Sequence, residues 1–299
     1  MKFQLGMFGL SARHYSEVAR VAEEHGFESI GMPEHLIFPE EMPAQYSYTE
    51  DGLPPMSADA PAYDPWPVLG AVAAATQKIK LATSVYILPL RHPVYTARSV
   101  VTVDRLSGGR VILGGGVGWL EEEFEVVGLN PHDRGRRTDE IIGILRRLWG
   151  EEDVIEHRGE YYKFGPVRFQ PKPLAKPSVP IELGGTTSPA LRRAGRLADG
   201  WIDHPEVRPG KWTKAGLDPD ELARITACLK VVEQARRDAG REKTAFEVTS
   251  SARDVDGVHM LEELGATRCQ AGVSAGPRGH KDDFIAGLKR YADEVIAKV

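Results

Sequence analysis

MKFQLGMFGLSARHYSEVARVAEEHGFESIGMPEH, residues 1–35, contains a complete strand, helix and strand. Lys2 to Phe8 reads as a strand closed by Gly9. Ser11 is placed to cap the helix that follows, where Tyr15, Val18, Ala19, Ala22 and His25 recur at helical spacing. Gly26 ends that helix. Phe27 to Met32 is a second strand, stopped by Pro33. Such a unit favours parallel pairing through a helical crossover.

The alternation continues downstream. Trp66 to Ala75 reads as a helix, Lys80 to Ser84 as a strand, and Val94 to Leu106 as a helix stopped by Gly108 and Gly109. Val111 to Gly114 is a strand. Thr138 is placed to cap a helix reaching Trp149, with Ile141, Leu145, Leu148 and Trp149 on one face. Further strands are expected at 179–183, 200–203, 246–250 and 267–273. Helices are expected at 188–197, 219–239 and 258–264, and a last one has Phe284, Leu288, Tyr291, Ala292 and Val295 on one stripe. Eight strands, each followed by a helix, predict a (β/α)8 TIM barrel over residues 1–299 as a single domain. A doubly wound sheet would want a glycine-rich fingerprint after strand one, and GMFGLS (6–11) is not that fingerprint.

Insertions are expected after strands two and four. Residues 34–64 hold five prolines and no clear period. A loop that long inside a compact domain is usually functional, so the segment reads as a lid or substrate loop. Residues 151–170 read as a small excursion, a hairpin carrying Tyr161, Tyr162 and Phe164.

Composition narrows the function classes. The 299 residues are 41% hydrophobic and 27% charged, with a formal net charge of −5. That balance argues against nucleic acid as a partner. Two basic clusters, Arg134, Arg136, Arg137 and Arg192, Arg193, Arg196, read as solvated helix faces. Cys228 and Cys269 lie far apart with no metal-ligand spacing, as expected of free thiols in a reducing compartment. The N-terminus reads as a strand rather than a signal peptide, and no run of 18 apolar residues occurs. A cytoplasmic protein without a membrane span is expected.

In a TIM barrel the chemistry sits at the C-terminal strand ends. There the sequence places Phe8 and Gly9, Glu34 and His35, Thr83, Ser84 and Val85, then Gly114 to Trp119. Gly184 to Thr187, Asp203 and His204, Ser250 and Ser251, and Ala271 and Gly272 complete the ring. This ring is poor in metal ligands, because Glu34-His35 and Asp203-His204 are adjacent pairs pointing in opposite directions. No metal site is expected. No Schiff-base lysine and no nucleophile elbow appears. The glycines instead let a flat ligand approach the main chain. GGTTSPA from Gly184 opens a helix whose free N–H groups suit a phosphate. A phosphorylated planar cofactor fits that combination. A barrel binding a phosphorylated metabolite without redox chemistry fits the glycines too.

GFESIGMPEHL (26–36), LATSVYILPLRHP (81–93), LSGGRVILGGGVGWLEEEFEVVG (106–128), RGRRTDE (134–140) and IELGGTTSPALRRAGRLADGW (181–201) carry a resemblance. Together they resemble the luciferase-like monooxygenase superfamily, particularly its branch of oxidoreductases dependent on the deazaflavin coenzyme F420. The resemblance implies a non-prolyl cis peptide at Ser84-Val85 that backs the deazaflavin ring. It implies that Glu34 contacts the cofactor and that His35 exchanges a proton with substrate, making these two the candidate catalytic residues. Gly116, Val117 and Gly118 would lie along the cofactor. Gly184, Gly185 and Thr186 would hold its phosphate, and Phe8 and Thr83 join the cofactor-binding set from their strand ends. Trp119 departs from the sugar-phosphate dehydrogenases of the family, which carry a glutamate there. The implied reaction is hydride transfer between F420 and a small organic alcohol, carbonyl or activated alkene. FMN with oxygen and a separate reductase is the alternative within the superfamily. A homodimer, with a flavin or F420 reductase as partner, is implied by the same analogy.

Overall fold

In the computed structural model, the residues described are 1–43, 45–46, 48–49, 51–203, 216–273 and 280–299. The chain runs β1 (Lys2–Gly6), α1 (Tyr15–Glu24), β2 (Ser29–Met32), α2 (Pro65–Ala75), β3 (Lys80–Thr83), β4 (Tyr86–Ile87), α3 (Pro93–Ser107) and β5 (Val111–Gly116). It continues through α4 (Glu121–Val126), α5 (Arg134–Trp149), β6 (Ile155–Arg158), β7 (Lys163–Val167), β8 (Ile181–Gly184) and α6 (Ser188–Leu197). It ends with β9 (Gly200–Ile202), α7 (Pro219–Asp238), β10 (Glu247–Ala252), α8 (Val255–Glu263), β11 (Arg268–Ala271) and α9 (Lys281–Glu294).

Eight strands pair in the order β3-β2-β1-β11-β10-β9-β8-β5, and a β3–β5 pairing closes the ring. Every pairing around it is parallel. This is the (β/α)8 barrel that the alternation of strand and helix predicts. The helices pack their apolar stripes on its outside. Val18, Ala19 and Ala22 of α1, and Leu145 and Leu148 of α5, are fully buried there. Each such leucine contributes about 1.5–3 kcal/mol relative to exposure. β6 and β7 form a separate antiparallel hairpin.

Local boundaries differ from the sequence reading for identifiable reasons. Ser11 makes no side-chain cap bond. A short 3-10 turn, Ala12–His14, intervenes before α1, with His14 N–H donating to the Ser11 carbonyl at 2.9 Å. α5 starts a turn before Thr138, whose buried hydroxyl donates to the Arg134 carbonyl at 2.7 Å instead of capping. Strand four of the barrel, β5, runs on to Gly116 because β4 pairs with its end, Tyr86 with Gly115 and Ile87 with Gly116. His204 lies outside the described residues. Among the described residues no helix is long and apolar enough to cross a membrane.

Inside the barrel, near the N-terminal strand ends, Arg268 is almost fully buried. Its guanidinium donates to Glu182 Oε1 and Oε2 at 2.9 and 2.7 Å, to Thr249 Oγ1 at 3.1 Å and to Glu28 Oε2 at 3.3 Å. The opposite end is open.

Candidate active site

The C-terminal strand ends surround a cavity of about 820 Å³. Its wall takes Phe8 from the β1 end, Glu34 and His35 from β2, and Ser84 and Val85 from β3. Gly116, Val117, Gly118 and Trp119 come from β5, and Gly184 and Gly185 from β8. Phe38, Tyr46, Tyr48, Met56 and Tyr63 of the long loop after β2 close it from above. Thr83 and Thr186 stand outside the lining. The Thr83 side chain is fully buried behind the wall, where its hydroxyl donates to the Gly114 carbonyl at 2.7 Å. Thr186 hydrogen-bonds the Tyr48 phenol through both main chain and side chain.

The stretch LATSVYILPL explains the floor. β3 pairs with β5 as far as Ala82 and Ile112, and β4 resumes with Tyr86 opposite Gly115. Four steps on one strand therefore oppose three on the other, a bulge of one residue. The Ser84-Val85 peptide within it is cis. The bulge brings Val85 over the glycine run of β5. A Cβ on Gly116 would sit 2.7 Å from Val85 Cγ2, and one on Gly114 would run into the Thr83 carbonyl oxygen. The glycines are required so that the bulge can lie flat on β5.

Beyond the bulge, the Glu34 carboxylate accepts from Ile87 N–H at 2.7 Å and pairs with Arg91. Arg91 in turn lies 4.7 Å over the Tyr86 ring. Burial pushes the Glu34 carboxyl up to about 7, against the pull of Arg91 and of the Ile87 N–H. So Glu34 is a buried acid at the cavity wall, tied to the segment that forms the floor.

His35 points the other way, as neighbouring strand-end residues do. Its Nδ1 lies 3.1 Å from Glu123 Oε2, and Glu123 Oε1 accepts from Leu36 N–H at 2.6 Å. The Glu123 side chain is fully buried. With the Glu123 oxygen as acceptor, the hydrogen of this pair sits on Nδ1 and Nε2 is left for exchange. Two rings flank the imidazole, Phe38 at 4.8 Å and Trp119 at 5.9 Å between centroids.

At the far end, the turn after β8 opens α6. Gly185 has φ +120°, and its carbonyl accepts from the buried Trp201 indole at 2.9 Å, which fixes the turn. Thr187 precedes the helix without a side-chain cap bond, so the first-turn N–H groups are left for another acceptor. Arg134 reaches the same cavity and faces Glu121 at 3.7 Å. It departs from the solvated-face reading of its cluster. So does Arg193, which is paired with Asp139. Among the described residues no group of three or more His, Cys, Asp or Glu side chains is placed to hold a metal.

Glu123 and Arg91 are the functional candidates that the sequence reading leaves out. Glu123 does carry a signal. It shares the i, i+3, i+4 face of Leu120 and Phe124, both fully buried, so a carboxylate is turned inward on an apolar face. Arg91 follows strand three in a proline-broken segment, where no period marks which side it faces.

A family model described as luciferase-like monooxygenase matches residues 6–253. An uncharacterised protein of Mycobacterium tuberculosis is 34% identical over 293 residues, covering 95% of each chain. A protein of Nakamurella multipartita named F420-dependent glucose-6-phosphate dehydrogenase is 33% identical over 246 residues, 77% of this chain and 67% of that one. Among solved structures, the coenzyme F420 dependent tetrahydromethanopterin reductase from Methanopyrus kandleri superposes with a TM-score of 0.71 at 18% identity, over 99% of both chains.

Proposed function

The chain belongs to the luciferase-like monooxygenase family, and from that footing we propose that it is an oxidoreductase using coenzyme F420 on a small organic alcohol, carbonyl or activated alkene. One observation carries the reading. The bulge at 83–85 lies flat on the β5 glycines as an uncharged floor, within a cavity whose wall also holds the His35–Glu123 pair. A relative at 33% identity named as F420-dependent supports it.

The residues present fit such a cofactor. Val85, Gly116, Val117 and Gly118 would hold the flat ring, because a Cβ on Gly116 would meet Val85 and one on Gly118 would meet Ile87 and Phe124, so both positions present bare main chain. Gly184, Gly185 and the N–H groups at the start of α6 would hold its phosphate. The chemistry that a bound deazaflavin supplies is hydride transfer, to or from a substrate carbon. The chain's own residues handle the proton. His35 takes the proton of a substrate hydroxyl on Nε2, or returns it to a carbonyl oxygen, while Glu123 fixes the imidazole tautomer through Nδ1. Glu34 holds Ile87 and Arg91 and so keeps the floor in place. The loop of residues 34–64 serves as the lid that excludes water. A cytoplasmic homodimer and a separate reductase that recharges the cofactor belong to the same reading.

The test is a titration of the protein with oxidised F420 and, in parallel, FMN, following tryptophan quenching and cofactor fluorescence. Micromolar binding of F420 with weak FMN binding is expected. The reverse preference would move the protein to flavin monooxygenase chemistry, and binding of neither would return it to the non-redox barrel.

A further inference from the structure

The cavity is unevenly furnished, and the unevenness speaks to the substrate. Around His35 the walls are rings. Phe38 and Trp119 flank the imidazole, the Tyr46 ring lies 5.0 Å from Trp119, and the Tyr48 ring lies 5.2 Å from Tyr46. Met56 adds a flexible apolar side chain to the same wall. Burial pushes the Tyr46 phenol up to about 12, the mark of a dry environment.

The polar groups of the wall already have partners. Glu34 pairs with Arg91, His35 with Glu123, and Arg134 with Glu121. Among the described residues the lining contains no lysine and no cation beyond Arg134 and, when protonated, His35. An anion placed beside His35 would lose its hydration without gaining a counter-ion, which costs several kcal/mol. A polyhydroxylated body would meet ring faces where it needs hydrogen-bond partners. A flat apolar body meets surfaces it can stack on.

We propose that the substrate is an uncharged, hydrophobic alcohol or ketone whose oxygen meets His35 and whose apolar body stacks among Trp119, Tyr46 and Phe38. This rests on the oxidoreductase reading of the same cavity, and it separates the chain from its sugar-phosphate-oxidising relative. Trp119 is then the specificity-determining residue, since its ring bridges His35 and the lid.

The experiment measures binding rather than turnover. Wild type, Trp119→Ala and Trp119→Phe are titrated by calorimetry with α-tetralone and with glucose 6-phosphate. Each protein is also titrated with F420, and its melting is followed as a control of folding. α-Tetralone is expected to bind wild type and glucose 6-phosphate is not. Trp119→Ala should weaken tetralone about tenfold, the loss of one aromatic contact. Trp119→Phe, which keeps a ring, should stay within about threefold of wild type. Glucose 6-phosphate binding better than tetralone, tetralone failing to bind, or tetralone binding unchanged in a folded Trp119→Ala variant would each overturn the proposal. The two readings fail separately. F420 binding without tetralone binding sinks the substrate class alone, and tetralone binding without F420 binding sinks the cofactor alone.

Discussion

Each end of the barrel buries carboxylates and guanidinium groups, and the two ends use them in opposite ways. Near the N-terminal strand ends, Arg268 is held by Glu182, Thr249 and Glu28, drawn from around the ring. These charged groups answer one another inside the protein. At the C-terminal end, Glu34 and His35 also have partners, Arg91 and Glu123, but both line the cavity. There Glu34 gives both oxygens to Ile87 and Arg91, whereas His35 pairs through Nδ1 alone and keeps its other nitrogen. The first arrangement binds strands together. The second orients His35 without using it up, as a reactive site requires.

The largest effect expected from this contrast is at the closed end. Arg268→Met leaves Glu182 buried and Glu28 partly buried beside an apolar side chain, with Lys80 still facing Glu28 at 2.9 Å. A loss of about 3–5 kcal/mol in unfolding free energy is expected from urea titration. Adding Glu182→Leu removes the stranded charge and should recover much of it. If the single variant is as stable as wild type, the network does not hold the ring.

At the open end, His35→Gln should lower turnover by about 10²–10⁴-fold, the range for a lost general acid or base. F420 affinity and the melting temperature should hardly move. A variant with normal turnover would remove His35 from the proton step and leave the cavity without its exchanger.

Glu34 gives a smaller and pH-dependent effect. With its carboxyl at about 7 when folded, against a usual 4.5, the folded chain binds more protons than the unfolded chain between those values. Stability therefore falls as pH rises through that window and is level above it. Glu34→Gln removes this component. The drop in stability from pH 5 to pH 8 should shrink by about 1–3 kcal/mol, read from urea midpoints across the range. An unchanged slope would assign the titration to another group.

How much of this the sequence discloses depends on length scale. The barrel is legible because its strands are apolar runs bounded by glycine and proline, and its helices carry long stripes such as Phe284, Leu288 and Tyr291. The floor is not. β4 is two residues long, too short for any period, and the bulge before it becomes visible only in the register against β5. The polar ends of β3 split for the same reason. Ser84 faces the cavity while Thr83 turns to Gly114, and alternation alone does not say which is which once a bulge intervenes. Thr186 reads as part of a phosphate turn, yet Tyr48 of the loop after β2, 138 residues away in the chain, takes its hydrogen bonds. Contacts made by an aperiodic loop leave no local signature.

Glu123 sharpens the comparison most finely, because its own surroundings resemble the closed end while its partner belongs to the open one. Its side chain is fully buried and accepts from Leu36 N–H, so part of its role is structural. Its other oxygen faces His35 Nδ1 at 3.1 Å. Glu123→Gln keeps the shape and an oxygen acceptor for Leu36, but places an amide that can donate where a carboxylate could only accept. The imidazole is then free to carry its hydrogen on Nε2. About a tenfold fall in kcat is expected, with KM and F420 affinity held, since a wrongly protonated base binds ligand as well as a correct one. A structural loss alone would lower the melting temperature and spread across kcat and KM. The discriminating signal is the nitrogen NMR of His35, which should change from the Nδ1–H to the Nε2–H tautomer in step with the loss of turnover. Turnover falling while the tautomer stays put would make Glu123 a strut for the β2 loop rather than the residue that positions the base.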